Sequence, residues 1–443
     1  MINIKILLVQ PFIFPEASIL PKKVTIFYTI IHKKFKKIAF LDNYLHLQQV
    51  AAATPEKHQI QFIDERFDEI DYHKEYDLVG ITCVTGYAER AYEIADEFRK
   101  HGKKVVLGGP HPSVLAEEAK QHADSVVIGE AEESWSRLLE NVENNQLQPF
   151  YRQQSKIPEK SIPAPRREII QRHKFPIARI QATRGCPYNC DFCALKIIEG
   201  SKHRKRPVEN VINEIKSLPQ KFLKFSDASL TIDPEYTKNL FLEMKGLKKR
   251  FNCFGNQNVL CEDDELLKLA KQAGCVAWYV GFESTSQETL NKIGKGSNKV
   301  EDYVLTTKKI HEHGMVVSGS FILGFDGDTT STFNETLKMM EKMEIDLAEI
   351  NILTPFPGTP LFKRLEKEGR ITNKVWFNYR EGQPGTVPVF KPKNMTVEEL
   401  QRQSDMLFNQ WYPFRKSVKR MSKSMCYGFY PFLFTALGPV LFA

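Results

Sequence analysis

The sequence predicts an α/β protein: an N-terminal doubly wound parallel sheet, then a partial (β/α)6 barrel, then a C-terminal helical tail. Three observations predict it. Short runs rich in β-branched residues alternate with helical patterns in two separate series, as in parallel sheets covered by helices on both faces. A Pro-rich basic stretch divides the two series. The length of 443 residues allows two or three domains with sizeable cores, and no solenoid-type repeat competes with this reading.

Residues 1–150 carry the first series. The opening INIKILLVQP run stops at Pro11, and HQIQFIDE, DLVGITCV, KKVVLGG and DSVVIGE follow. AERAYEIADEFRKHG and PSVLAEEAKQHA are helical patterns between them. Ligands of such sheets bind at the carboxyl ends of the strands. Those ends hold the Gly108-Gly109-Pro110-His111 turn and Gly129-Glu130. Residues 151–177 are Pro-rich and weakly periodic and read as a linker. Over 178–375 the runs IARIQATRG, FLKFSDASL, FNCFGNQN, VAWYVGFES, VVSGSFILGF and LAEINILTPF alternate with helices such as VENVINEIKSL and DELLKLAKQAG. Six units make an incomplete barrel, because a full one takes about 250 residues. Residues 376–443 add the helical TVEELQRQSDMLFNQWY and then a basic and an apolar stretch.

Composition narrows the function. Hydrophobic residues at 42% and charged residues at 26% exclude wholesale disorder and fibrous classes. Eight cysteines are too few for a disulfide scaffold, and the start shows no cleavable signal pattern, so a reducing cytoplasm is expected. The formal charge of +8 is unevenly spread.

The sharpest motif is Cys186-Pro187-Tyr188-Asn189-Cys190-Asp191-Phe192-Cys193, directly after the first barrel run. Thiolates at this C-x3-C-x2-C spacing converge on a soft centre: zinc, copper(I) or an iron–sulfur cluster. Tetrahedral zinc would be one ligand short, with no partnering pair at zinc-finger spacing. A cubane cluster held through three irons leaves the fourth open to substrate or cofactor. Three buried structural cysteines remain the plain alternative, although these need no strand end flanked by Arg-Gly and Pro.

CPYNCDFC resembles the signature of radical S-adenosylmethionine (SAM) enzymes, including the aromatic Phe192 before the third cysteine. The order of parts is similar to the subgroup with an N-terminal cobalamin-binding-type domain, over roughly residues 1–380. VVLGGPHPS, VVIGEAEESW, GFDGDT and PFPGTPLF are softer matches. The resemblance implies that Cys186, Cys190 and Cys193 ligate a 4Fe–4S cluster whose open iron chelates SAM. One electron then cleaves SAM to methionine and a 5′-deoxyadenosyl radical.

The same resemblance implies cofactor contacts at Tyr188 and Phe192 in the loop, and at Asp227, Glu283, Ser318, Ser320, Gly324 and Phe356 at the barrel strand ends. Asp227 is followed by Ala228 where relatives often carry two acids. In the first domain it implies cobalamin lined by Thr82, Thr85, Gly108, Gly109, His111, Gly129 and Glu130. No D-x-H-x-x-G loop is present, and His111 is the only histidine at a strand end, so a turn role stands beside cobalt ligation. The other cysteines, Cys83, Cys253, Cys261, Cys275 and Cys426, read as bystanders.

Three basic stretches remain. Six lysines bracket VTIFYTII between Ala17 and Leu41, where no acid occurs. Lys202–Arg206 follows the cysteine loop and either faces an anionic ligand at the mouth or forms a solvated patch. Arg415, Lys416, Lys419, Arg420 and Lys423 precede MCYGFYPFLFTALGPVLFA, nineteen residues without a charge but broken by Gly and Pro. That collar suits an interfacial anchor on anionic lipid, and packing back onto the barrel is the alternative. The resemblance thus implies hydrogen abstraction from an unactivated carbon, with cobalamin-dependent methyl transfer, ring formation or rearrangement as outcome. The substrate expected is a small lipid-like or isoprenoid-like molecule, the electron donor a flavodoxin or ferredoxin, and no nucleic acid is expected. A radical SAM enzyme without cobalamin, and a metal-binding nucleic-acid protein, are the competing readings.

Overall fold

The computed structural model describes residues 3–13, 44–380 and 387–441. The lysine-bracketed segment of residues 17–41 lies outside the described residues.

Every apolar run of the first series becomes a strand: β1 (Lys5–Gln10), β2 (Gln59–Asp64), β3 (Leu78–Thr82), β4 (Val105–Gly108) and β5 (Ser125–Ile128). β6 (Phe150–Arg152) extends the sheet into the segment read as linker. The strands are all parallel, in the order β2-β1-β3-β4-β5-β6. The helices are α1 (His46–Ala52), α2 (Ala88–Lys100), α3 (Pro110–Val114), α4 (Ala116–His122) and α5 (Ala131–Glu143). Alternate side chains of a strand point to opposite faces, and both faces here are apolar. Val79, Val105 and Leu107 meet Ala91, Ile94 and Phe98 of α2 on one side. Leu8, Val106 and Val127 meet Leu47 of α1 and Trp135 and Leu138 of α5 on the other.

The second series folds as β7 (Ile177–Ile180), the short antiparallel pair β8 (Thr183–Arg184) and β9 (Arg204–Lys205), then β10 (Phe222–Phe225), β11 (Arg250–Gly255), β12 (Cys275–Glu283), β13 (Val316–Leu323) and β14 (Leu347–Ile352). The long strands are parallel in the order β7-β10-β11-β12-β13-β14, a six-stranded partial barrel. Its helices are α6 (Leu195–Glu199), α7 (Val208–Ser217), α8 (Pro234–Met244), α9 (Gln257–Glu262), α10 (Asp264–Ala273), α11 (Gln287–Lys292), α12 (Tyr303–Glu312), α13 (Thr330–Lys342) and α14 (Pro360–Lys367). Phe225, Phe241, Phe251, Trp278, Phe282 and Phe321 centre the core between strands and helices.

The C-terminal region, with α15 (Val397–Trp411), α16 (Phe414–Met425) and α17 (Phe429–Leu441), differs from expectation in two ways. Trp376, Tyr379 and Val389 join the core of the first sheet instead of a separate tail. Trp376 Nε1 donates to Glu118 across the chain at 2.8 Å. The apolar tail also packs back onto the barrel. Phe434 lies among Val276, Ala277, Tyr279, Val316 and Leu347 at the starts of the strands. Tyr430 meets Phe222 edge-on with centroids at 5.3 Å, and Tyr427 stacks on His311 at 5.2 Å. The aromatic residues expected at a membrane thus close the barrel floor. No described helix is long and apolar enough to cross a membrane.

Candidate active site

The cysteine loop leaves β8 and returns through α6, so the β8–β9 pair clamps its two ends. Cys186 N donates to Gly200 O at 3.1 Å, and Gly185 N donates to the Glu199 carboxylate at 2.8 Å. Cys186, Cys190 and Cys193 are free thiols, each partly exposed. Burial raises all three thiol pKa values, and that of Cys193 to about 11, while the Lys295 ammonium works in the opposite direction. The chemistry of these desolvated thiols suits a soft multi-iron cluster, whose positive charge would let them ionise, although the three side chains are not drawn into a metal-binding group among the described residues.

The strand ends complete this wall. Lys295 Nζ is 3.0 Å from Glu283 Oε1; burial opposes the lysine's charge, but Glu283 and Cys190 outweigh it and hold its pKa above the usual value. Glu283 sits at φ 63° at the end of β12, a left-handed conformation rare for a side-chain-bearing residue and common at functional sites. Tyr188 Oη accepts from Asn256 Nδ2 at 2.9 Å, which ties the loop to the end of β11. Phe192 packs edge-on to Phe325 at 6.0 Å.

Sequence reasoning missed the backing of the loop. Asp191 N donates to Ile293 O at 3.0 Å, and Cys190 Sγ lies 3.9 Å from Gly294 O. Gly294 has φ 76°, and a Cβ there would lie 2.4 Å from Asn189 O. The only signal was the glycine-rich NKIGKGSN, which carries no periodicity.

Several expected contacts are placed otherwise. Asp227 is fully buried, and its Oδ1 accepts from Ala182 N at 3.0 Å and from the Thr183 amide and hydroxyl. Burial pushes its carboxyl up to about 7, and Oδ2 is buried without a partner. It braces the loop entrance. Gly324 has φ 104°, and a Cβ there would meet Leu400 of α15 at 3.0 Å and Phe390 at 3.2 Å, so close packing and a left-handed backbone account for the glycine. Phe356 packs against the core of the first sheet. Ser318 is buried with an unpartnered Oγ, and Ser320 accepts weakly from Asn351 at 3.4 Å. Among the described residues Ser318 Oγ thus keeps unused hydrogen-bonding capacity, and Ser320 uses little of its own.

A cavity of about 320 Å³ joins the two sheets. Thr82, Gly108, Gly109, Gly129 and Glu130 line it from the first sheet, and Gln181, Arg184, Glu199 and Ser226 from the barrel. Small residues at the ends of β3, β4 and β5 leave this wall open at the carboxyl edge of the first sheet, and Thr82, Gly108, Gly109 and Gly129 are the residues that would cradle cobalamin there. Thr85 and His111 are not part of it. His111 is fully buried, its Nδ1 3.3 Å from Thr85 Oγ1, its Nε2 3.2 Å from Glu118, and its ring 5.1 Å from Trp376. The C-terminal segment therefore holds it away from the cavity. His46 lines the cavity instead, with its pKa lowered to about 4 by burial and then by Arg179 and Arg66.

The basic run also turns inward. Arg204 donates to Glu130 at 3.0 Å, to Ile157 O at 3.1 Å and to Glu199 O at 2.8 Å. Arg206 pairs with Glu214 at 2.7 Å, Lys205 with Asp233 at 2.5 Å and Lys202 with Glu159 at 3.9 Å. Arg204 and Arg206 are thus buried and paired, and Lys205 is held by Asp233, while Lys202 stays exposed. Burial raises the Glu130 pKa, but Arg204 and Gln153 outweigh it and hold the carboxyl below the usual range. Cys83, Cys253, Cys261 and Cys275 are buried in the cores.

Comparison with known proteins agrees with this geometry. Residues 180–340 match the radical SAM superfamily and residues 45–139 the B12 binding domain. The chain is 31% identical over 393 residues to the bacteriochlorophyllide d C-12(1)-methyltransferase of Chlorobaculum tepidum, covering 85% of this chain and 84% of that one. It is 34% identical over 362 residues to the C-8(2)-methyltransferase of the same organism, covering 76% and 79%. Among solved structures, the radical SAM methyltransferase TsrM from Kitasatospora setae, with cobalamin and a [4Fe-4S] cluster bound, shares the fold. Its TM-score is 0.62 at 17% identity, over 83% of this chain and 78% of that one. The chain therefore belongs to the radical SAM enzymes that carry a B12-binding domain, the family of cobalamin-dependent radical SAM methyltransferases, with a 4Fe–4S cluster, SAM and cobalamin as cofactors.

Proposed function

We propose that this enzyme transfers a methyl group to an unactivated carbon of a small, hydrophobic, lipid-like or tetrapyrrole-like molecule in the cytoplasm. One observation carries the reading: Glu199 lines the cavity and accepts from Gly185 N, and the next residue, Gly200, accepts from Cys186 N. The two cofactor sites thus share a wall, as a substrate carbon between a radical source and a methyl donor requires. The Chlorobaculum relatives, named for methylation of bacteriochlorophyllide, support the substrate class.

In this reading residues 1–150 and 178–375 are the two cofactor-carrying units. Cys186, Cys190 and Cys193 hold the cluster, and Glu283, Ser318 and Ser320 orient SAM. Thr82, Gly108, Gly109 and Gly129 cradle cobalamin. The bound groups supply radical generation and methyl donation, and the protein binds, orients and excludes water. Electrons come from a flavodoxin or ferredoxin. Ring formation or rearrangement is the second outcome that the fold accommodates.

The test is anaerobic incubation of reconstituted enzyme with SAM, cobalamin, reductant and a bacteriochlorophyllide-type tetrapyrrole. The expected products are 5′-deoxyadenosine, methionine and S-adenosylhomocysteine, with a methylated tetrapyrrole. Cys190→Ala should abolish 5′-deoxyadenosine. Persistence of that product would overturn the ligand assignment, and 5′-deoxyadenosine without S-adenosylhomocysteine would overturn methyl transfer.

A further inference from the structure

Helix α16 carries an apolar row that is uncovered among the described residues. Phe414, Val418, Met421 and Met425 recur at spacings of four, three and four, which places them on one line of an α-helix, and Phe429 opens the next helix. Phe414 is 83% exposed, Met425 59%, Phe429 67% and Val418 44%, while Met421 is half-buried. Isolated exposed apolar residues are ordinary, but a row of four along one helix is not.

The orientation of this row is fixed by the rest of the helix. Lys416 pairs with Glu341 at 2.7 Å and Lys423 with Glu344 at 2.6 Å, beside the end of α13. The Arg420 guanidinium lies 4.4 Å over the Trp411 ring and donates to Trp411 O at 2.9 Å, and Ser424 is buried. The helix therefore presents its polar flank to the barrel and its apolar row outward. The following helix, through Tyr430 and Phe434, nails the assembly to the barrel floor.

Charge identifies the occupant. From Met406 to the last residue there is no acid, against five cations. Arg415 and Lys419 are exposed and carry no ion pair among the described residues. A straight row of Phe, Val and Met beside free cations is complementary to an anionic bilayer surface, with the apolar groups entering the acyl boundary and the cations meeting phosphates. We infer that α16 docks this enzyme on the surface of an anionic membrane, lying in the interface without crossing it. The contact is made by α16 and not by the uncharged tail, and the inference does not depend on methyl transfer.

The experiment is co-sedimentation of the full chain with phosphatidylcholine vesicles, with and without phosphatidylglycerol, at about 0.1 M salt. Two cations near the surface favour the anionic vesicles roughly thirtyfold, and raising the salt should erase most of that preference. The variant Phe414→Ser/Val418→Ser/Met425→Ser should lose binding to both vesicles. Arg415→Glu/Lys419→Glu should lose only the anionic preference. Both should keep the circular dichroism and SAM cleavage of the parent, since none of these residues touches the site. Absence of vesicle binding, equal binding to both lipids, or full binding by the serine variant would overturn the inference. So would a lipid-free dimer that the serine variant breaks, because the row would then cover a second copy.

Discussion

Replacing Arg204 by Met should separate the two cofactor units. Arg204 is 2% exposed and reaches from β9 to Glu130 at the end of the first sheet, to the Ile157 carbonyl and to the Glu199 carbonyl. Met fills most of the volume but leaves Glu130 buried with its main partner gone. Removing one member of a buried pair costs about 3–5 kcal/mol. Arg184 remains 3.5 Å from Glu130 and offsets part of this, so the lower end, about 3 kcal/mol, is expected. The assay is urea unfolding of the cofactor-free protein, in a cycle with Glu130→Gln. The cycle should show a coupling of about 1–3 kcal/mol, and Arg204→Met should also retain less cobalamin because Glu130 and Glu199 line the same cavity. A loss under about 1 kcal/mol, or additive single variants, would refute the clamp.

The remaining predictions concern the loop and its surroundings. Gly294→Ala forces a Cβ towards Asn189 O at a positive φ that costs about 1–2 kcal/mol; iron per protein should fall, and full iron loading would sink the idea. Asp227→Asn tests the buried acid. Its folded pKa of about 7 lies above the unfolded value of about 3.9, so wild-type stability should fall as pH rises from about 4 to 7 and level off beyond. The Asn carbonyl keeps the three hydrogen bonds, so that slope should vanish; an unchanged slope would place the titration elsewhere. His111→Gln should lower stability by about 1–3 kcal/mol through its lost buried hydrogen bonds, yet leave the absorption spectrum of bound cobalamin unchanged. A spectral shift would restore His111 as a cobalt ligand.

Both strand series were legible because buried parallel strands are short, continuous and β-branched, a pattern local to each run. The cysteine loop was legible because its ligands lie within eight residues. β6 escaped because three residues carry no pattern, and Phe150–Arg152 looks like the linker around it. Lys295 and Gly294 escaped because they lie a hundred residues from the thiols they support, and nothing in NKIGKGSN announces that proximity.

The uneven charge shows the division most clearly. Sequence alone determined that Lys202–Arg206 is basic and that the last residues pair a cationic stretch with an apolar one, since composition is local. Tertiary structure alone decided what those charges meet. It buried Arg204 and Arg206 against Glu130 and Glu214, acids 74 and 8 positions away in the chain, and so withdrew both from any basic mouth. It turned Tyr430 and Phe434 inward onto the barrel floor and left Phe414, Val418 and Met425 facing solvent. Burying a charge requires a partner, and burying an aromatic ring requires a gap to fill. Partners and gaps exist only once distant segments have packed.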